Sequence, residues 1–349
     1  MTEESDEVLT RVDGNVGLIT LNRPKAINSL NQRMVDALSA ILTRWAGDDA
    51  VSTVVLSGAG ERGLCAGGDV VSIYHSARKD GVEARRFWRD EYLLNAQIAD
   101  FSKPYVALMD GIVMGGGVGV SAHANIRVVT DTSKIAMPEV GIGFVPDVGG
   151  MFLLSRAPGG LGLHAALTGA PFSGADAIAM GFADHYVPHD DLEAFTRAIV
   201  ADGVQSALAA HAIESPPSEL AAQHGWIDEC YAGDTVEDIV AALRAHDSGP
   251  GPGPAQDAAD LIDTRSPISL SVTLEAVRRA AKLETVKDVL IQDYRVSSAS
   301  LRSHDLVEGI RAQLIDKDRN PKWSPATLAA VTGADVEAYF VPVDDDLSF

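Results

Sequence analysis

Two carboxylates stand in an otherwise apolar run, Met137-Pro138-Glu139-Val140-Gly141-Ile142-Gly143-Phe144-Val145-Pro146-Asp147-Val148-Gly149-Gly150. Removing water from a carboxylate among Met, Val, Ile and Phe disfavours the charged form and raises the pKa. A carboxyl group tuned that way suits general acid–base or nucleophilic work. The glycines and the two prolines exclude one continuous helix, so Glu139 and Asp147 can fold back towards one pocket. Both acids also fit as turn or cap residues, and Asp147 before Val-Gly-Gly has the form of an N-cap.

Two glycine-rich segments offer complementary chemistry. The first is Gly63-Leu64-Cys65-Ala66-Gly67-Gly68-Asp69-Val70, and the second runs from Gly111 to Gly119 (GIVMGGGVG). Each follows a strand-like run and places side-chain-free backbone at the start of an expected helix. The first N–H groups of a helix have no intrahelical partner, and the helix dipole there favours negative charge. Two such donors converging on one point would hold a carbonyl oxygen as it becomes an oxyanion. Tight packing of strand on helix would select the same glycines. Neither segment matches a phosphate-binding GxxxxGK[ST] loop, and a dinucleotide fingerprint is only weakly supported.

The elements that would position these groups are legible as well. Short β-branched runs at Val16 to Asn22, Thr53 to Ser57, Tyr105 to Met109 and Ile126 to Thr130 are bounded by turn residues and predict strands. Asn31 to Trp45 places Met34, Leu38, Ile41, Leu42 and Trp45 on one helical face. Arg85 to Ile98 reads as a second helix. Alternation of strands and helices implies an α/β class. After about residue 190 Ala-rich helical patterns dominate, which suggests a core over 1–200 and a helical region over 201–349. Within the latter, GPGPGPAQD (Gly249 to Asp257) reads as an exposed loop, centred near 249–254. Ser269 to Leu290 reads as helix, and the chain closes on an acidic VDDDL tail that reads as loose.

Composition narrows the function classes. The 349 residues include 49 acidic and 28 basic side chains, a formal charge of −21, and 46% are hydrophobic. Such a chain is globular rather than disordered. The charge opposes general nucleic-acid binding. Cys65 and Cys230 have neither disulfide-scaffold nor metal-ligand spacing, and the nine histidines show no HExxH pattern. No metal is expected, and His123 and His304 read as structural. No run approaches a membrane span, and the acidic start MTEESDEVLTRVDG lacks signal-peptide features, so a cytoplasmic protein is the expectation.

In combination, LNRPKAINSLN (Leu21 to Asn31), CAGGDV (Cys65 to Val70), GIVMGGGVGVS (Gly111 to Ser121) and MPEVGIGFVPDVGG resemble the crotonase (enoyl-CoA hydratase/isomerase) superfamily. SPISLSVTLEAV, QDYRVS and HDLVEGIRAQLIDKDRNPKW resemble its 3-hydroxyisobutyryl-CoA hydrolase branch, and the likeness spans nearly the whole chain. It implies a spiral of ββα units followed by a helical C-terminal region. It also implies an acyl-CoA thioester substrate and no separate cofactor. The family's two oxyanion-hole amides map to Ala66 and Gly116. Gly67, Gly68, Asp69, Gly115 and Glu91 are the implied substrate contacts. The catalytic acids map to Glu139 and Asp147, and the CoA-binding segment to Arg23, Lys25 and Ala26, with Lys103 a weaker cation.

One departure selects the branch. Enoyl-CoA hydratases carry a glutamate three residues after the middle glycine of GGG, and here that residue is Gly119. The resemblance therefore implies hydrolysis of a short 3-hydroxyacyl-CoA, 3-hydroxyisobutyryl-CoA of valine catabolism first among them. The runner-up is an enoyl-CoA hydratase or isomerase relying on Glu139 alone. A non-catalytic acyl-CoA-binding scaffold is the third class. The family's trimers make a homo-oligomer an open expectation, because the extended C-terminal region could cover that surface.

Overall fold

The computed structural model describes residues 6–246 and 253–349, and in it the glycine-punctuated runs become the strands of two sheets. The larger sheet has six strands in the order β1-β2-β3-β4-β6-β9: β1 Val8–Asp13, β2 Val16–Leu21, β3 Thr53–Gly58, β4 Tyr105–Met109, β6 Ile126–Val129 and β9 His185–Tyr186. The smaller sheet has β5 Ile112–Met114, β7 Lys134–Ala136 and β8 Phe172–Ser173. In the larger sheet only the β1–β2 hairpin is antiparallel.

The described residues group into two compact units that interleave along the chain. One unit takes the chain up to Gly68, Asp90–Ala136 and Phe172–Glu219; the other takes Asp69–Arg89, Met137–Pro171 and Leu220–Phe349. Each unit takes segments from both sides of residue 200. Both sheets belong to the first unit. There β4 and β5 are followed by the helix Gly116–Ser121, and β6 and β7 repeat the step, each pair giving one strand to each sheet. This is the expected ββα winding of an α/β fold.

Strand alternation explains why β2, β3 and β4 of the larger sheet are buried on both faces. Val16, Leu18, Val55, Val106, Leu108 and Val128 form one core cluster with Phe195, Ile199, Val204 and Leu208 of the helices Leu192–Asp202 and Val204–His211. Gly17 faces the other way, and the Trp45 ring lies directly over it. Trp45 belongs to the helix Gln32–Ala46, which Asn31 caps by accepting the Met34 N–H at 3.0 Å. All five apolar residues expected on one face of that helix are buried. Lys103 donates to the carbonyls of Trp45, Asp48 and Val51 at 2.6–2.7 Å, so it ties down the connection into β3.

Three sequence expectations change in the second unit. Residues 249–252 of the Gly/Pro loop lie outside the described residues, but Pro254 opens a helix, Pro254–Asp263. Proline at the first helical position loses no hydrogen bond, which is why the run does not stay irregular. The single helix expected over Ser269 to Leu290 is two, Pro267–Ala280 and Val286–Ser300, divided where Thr285 and Asp288 form a capping box. The acidic tail is docked. Arg295 Nη2 donates to Asp346 at 2.6 Å, the Tyr294 hydroxyl to Asp345 at 3.2 Å, and Arg89 to the Asp345 carbonyl at 3.0 Å.

Replacing Lys103 by Met should cost about 2–3 kcal/mol, because three carbonyls lose a charged donor. Urea unfolding measures this. An unchanged urea midpoint together with a raised Michaelis constant for acyl-CoA would instead return Lys103 to a phosphate-binding role.

Candidate active site

In the first unit the two glycine-rich turns lie side by side, hydrogen-bonded backbone to backbone. Cys65 N–H donates to Ile112 O at 3.1 Å and Met114 N–H to Cys65 O at 2.9 Å. Gly117 sits so close that a methyl group there would overlap the Cys65 carbonyl. Close packing of the two turns is thus one reason these positions are glycine.

Of the two amides expected to act as donors, Ala66 and Gly116, one is hydrogen-bonded within the fold. Ala66 N–H donates to the Ile27 carbonyl at 2.9 Å and is already engaged. Ile27 and Asn28 are both left-handed, with φ of 49° and 53°, which turns that carbonyl towards Ala66. The buried Asn28 side chain fixes the bend by accepting Arg23 N–H at 2.9 Å and donating to Ala59 O at 3.0 Å. Two residues on, Gly68 N–H has no hydrogen-bond acceptor among the described residues, and neither has Gly116 N–H at the start of its helix. A Cβ built on Gly116 would lie 3.2 Å from Gly68 N and 2.5 Å from Glu91 Oε1. Gly68, Gly116 and the Glu91 carboxylate therefore border one point.

The remaining implied contacts divide. Glu91 is 2% exposed on the helix Val82–Ala99. Gly67 packs against the Met114 carbonyl, and Gly115 N–H is bonded to Ala136 O at 3.3 Å. Asp69 caps the helix Val70–Ala77 by accepting Ser72 N–H at 3.4 Å. Arg23 is committed to Glu7, at 3.3 Å, and to the Ser29 carbonyl. Lys25 and Ala26 are exposed in the turn Pro24–Ala26. Arg62, which the sequence reading passed over, donates to the Pro24 and Lys25 carbonyls and adds a second exposed cation to that turn. Cys65 is fully buried, and burial pushes its thiol up to about 12.

The second unit holds the acids. Glu139 and Asp147 are 7% and 5% exposed. Glu139 opens the short turn Glu139–Ile142, and Phe144 N–H closes it onto Glu139 O at 3.1 Å. The turn is braced from outside. Ser266 N–H donates to Val140 O at 3.3 Å, Arg265 binds the Thr168 carbonyl, and Trp88 stacks on Phe144 with centroids 5.2 Å apart. Asp147 is not an N-cap: Gly149 occupies that position of the helix Gly150–Leu154, which has no side-chain cap. A third buried acid, Asp293, contacts the same turn, accepting Gly149 N–H at 2.8 Å. It lies in the QDYRVS motif, to which the sequence reading gave no role.

Residues 16–340 match the family described as enoyl-CoA hydratase/isomerase. The chain belongs to that family. It is an enzyme of the crotonase superfamily, whose members act on acyl-CoA substrates. It is 38% identical to the 3-hydroxyisobutyryl-CoA hydrolase, mitochondrial, of Danio rerio, over 99% of this chain and 92% of that protein. The protein of the same name from Mus musculus is 39% identical over 100% and 92%. Among solved structures, a carnitinyl-CoA dehydratase from Mycobacterium thermoresistibile superposes with a TM-score of 0.95 at 71% identity, covering 99% of both chains. An enoyl-CoA hydratase from Rhodobacter sphaeroides gives 0.92 at 39% identity, over 99% of this chain and all of the other.

Gly116→Ala puts a methyl group where Gly68 N–H and Glu91 converge. It should lower kcat/KM on an acyl-CoA substrate by about 10²-fold or more without altering the circular dichroism spectrum. Activity kept near the wild-type level would show that this point is not where the substrate carbonyl binds.

Proposed function

We propose that the protein hydrolyses a short 3-hydroxyacyl-CoA thioester, with 3-hydroxyisobutyryl-CoA the leading candidate. The observation that carries this reading is Gly119. It is buried within the helix Gly116–Ser121 at the position where a hydratase presents its second glutamate. Water addition across a double bond lacks one of its two carboxylates, whereas hydrolysis of a thioester needs an activated oxygen nucleophile and an oxyanion site. The full-length likeness to proteins named 3-hydroxyisobutyryl-CoA hydrolase supports the same choice.

In this reading the Gly68 and Gly116 amides bind the thioester oxygen, each contributing on the order of 3 kcal/mol once charge develops on it. Glu139 supplies the nucleophilic step in one of two ways. As a general base it takes a proton from water while the water oxygen adds to the carbonyl carbon. Collapse of the oxyanion then breaks the C–S bond, and the departing CoA thiolate regains a proton. As a nucleophile its own oxygen adds to the carbon, the thiolate leaves, and water hydrolyses the resulting anhydride. Asp147 hydrogen-bonds the substrate hydroxyl or relays a proton. Glu91 orients the hydroxyacyl end. Lys25 and Arg62 offer positive charge to the CoA phosphates.

The 71% identity to a carnitinyl-CoA dehydratase favours a second reading, dehydration or hydration of an acyl-CoA through Glu139. A thiol-release assay on a panel of hydroxyacyl-CoA esters, run beside an enoyl-CoA absorbance assay, separates the two. Thiol release without change in enoyl absorbance is expected. Enoyl turnover without thiol release would overturn the hydrolase reading.

Glu139→Gln should reduce thiol release by about 10²–10⁴-fold. Turnover of wild type in oxygen-18 water followed by mass spectrometry of the Glu139 peptide then tests the anhydride route. Label in Glu139 requires an anhydride opened by water at the Glu139 carbonyl; label confined to the product acid fits the general base, or an anhydride opened at the acyl carbonyl.

A further inference from the structure

QDYRVS is a motif that the proposed chemistry leaves unused, and its Asp293 is buried, 2% exposed, on the helix Val286–Ser300. Asp293 Oδ2 accepts the Gly149 N–H at 2.8 Å, a bond spanning 144 residues of sequence. The turn it grips is unusual. Val148 and Gly149, the two residues after Asp147, both adopt left-handed backbone, with φ of 53° and 74°. Glycine adopts this conformation freely, but for a β-branched valine it is strained. Strained conformers of this kind persist only where surrounding structure over-determines them. From within, Gly150 N–H donates to Asp147 O at 2.7 Å. From outside, the Asp293 carboxylate holds the backbone at Gly149.

Asp293 also lies within electrostatic reach of Asp147. Burial pushes its carboxyl well above the usual carboxylate range, the Gly149 N–H opposes this, and the charge of Asp147 pushes it further up. An acid that only stapled helix to loop would gain nothing from such a neighbour. Desolvating a carboxyl beside another acid is unfavourable, so its presence calls for a compensating role.

We propose that Asp293 is a positioning residue: by holding Gly149 it keeps the Val148–Gly149 turn left-handed and so fixes the Asp147 carboxylate for reaction. The inference rests on Asp147 acting in the reaction proposed above, and concerns how that residue is held. Asp293 itself touches no substrate.

The test uses the full chain and whichever acyl-CoA ester of the panel the wild type turns over fastest, by either reaction. Asp293→Ala should lower kcat by about 10²-fold, the scale of a small misplacement of a reacting group, while KM stays near the wild-type value. Asp293→Asn keeps an oxygen that can accept the Gly149 N–H, and should recover most of the lost kcat. In a double-mutant cycle Asp293→Ala should add little to Asp147→Asn, since there is no longer a carboxylate to position.

A structural staple predicts otherwise: lowered unfolding temperature, kcat retained in the folded fraction, and effects that multiply with those of Asp147→Asn. Either retained kcat or multiplying effects overturns the proposal. Should the alanine variant fail to fold, Asp293→Glu decides, because one added methylene moves the acceptor while keeping its charge. A clear fall in kcat at unchanged KM is expected, and wild-type kcat overturns the proposal. A wild type that turns over no ester at all overturns the reading of Asp147 instead. Unchanged variants of an active enzyme overturn the role of Asp293 alone.

Discussion

The contact of one glycine-rich turn against another is the constraint on which the catalytic reading depends. At Gly117 the backbone of the second turn presses on the Cys65 carbonyl, with no room for a methyl group between them. The bonds between Cys65, Ile112 and Met114 lock that approach. Gly68 and Gly116 then follow as amides uncommitted among the described residues, at adjoining positions, with the Glu91 carboxylate beside them. A donor preorganised in this way needs no reorganisation when charge develops, which is why backbone amides on rigid turns are effective oxyanion ligands. The sheet supplies the rigidity. β4 and β5 lead directly into the second turn, and β4 is buried along its whole length.

The acids obey a different constraint. Glu139, Asp147 and Asp293 sit among apolar side chains in the second unit, and their segments are bound to distant parts of the chain by bonds such as Ser266 to Val140 and Asp293 to Gly149. Burial of three carboxyl groups does not favour folding. For Asp293 that burial pushes the carboxyl well above the usual carboxylate range. The long helical region therefore has more to do than cover a surface. Its helices Pro267–Ala280 and Val286–Ser300 brace the segments that carry Glu139 and Asp147.

Much of this was legible in the sequence, and the failures have physical causes. The four strands marked by β-branched runs are present within a residue or two, as is the helix whose five apolar positions share a face. β1 was missed because it is an edge strand, exposed along most of its length, so no burial pattern is written into it. The break between the last long helices was announced by Thr285 and Asp288, a capping-box spacing that a closer reading could have used. The state of each amide in the first glycine-rich turn is a different matter. In a run of small residues, which amide stays uncommitted is decided by the Ile27 carbonyl, far away in sequence and turned by its own left-handed backbone. Asp293 was hidden for the same reason, since its partner lies 144 residues away. Local pattern finds elements and candidate residue types; assigning each donor requires the fold.

The most direct test of the account is vibrational. A hydroxyacyl-CoA carrying carbon-13 at the thioester carbonyl, bound to the Glu139→Gln variant, reports its own polarisation through the C=O stretch. If two backbone amides grip that oxygen, the band falls to lower wavenumber than in water. A band at or above its aqueous position would mean that the carbonyl is not held there, and would contradict the account.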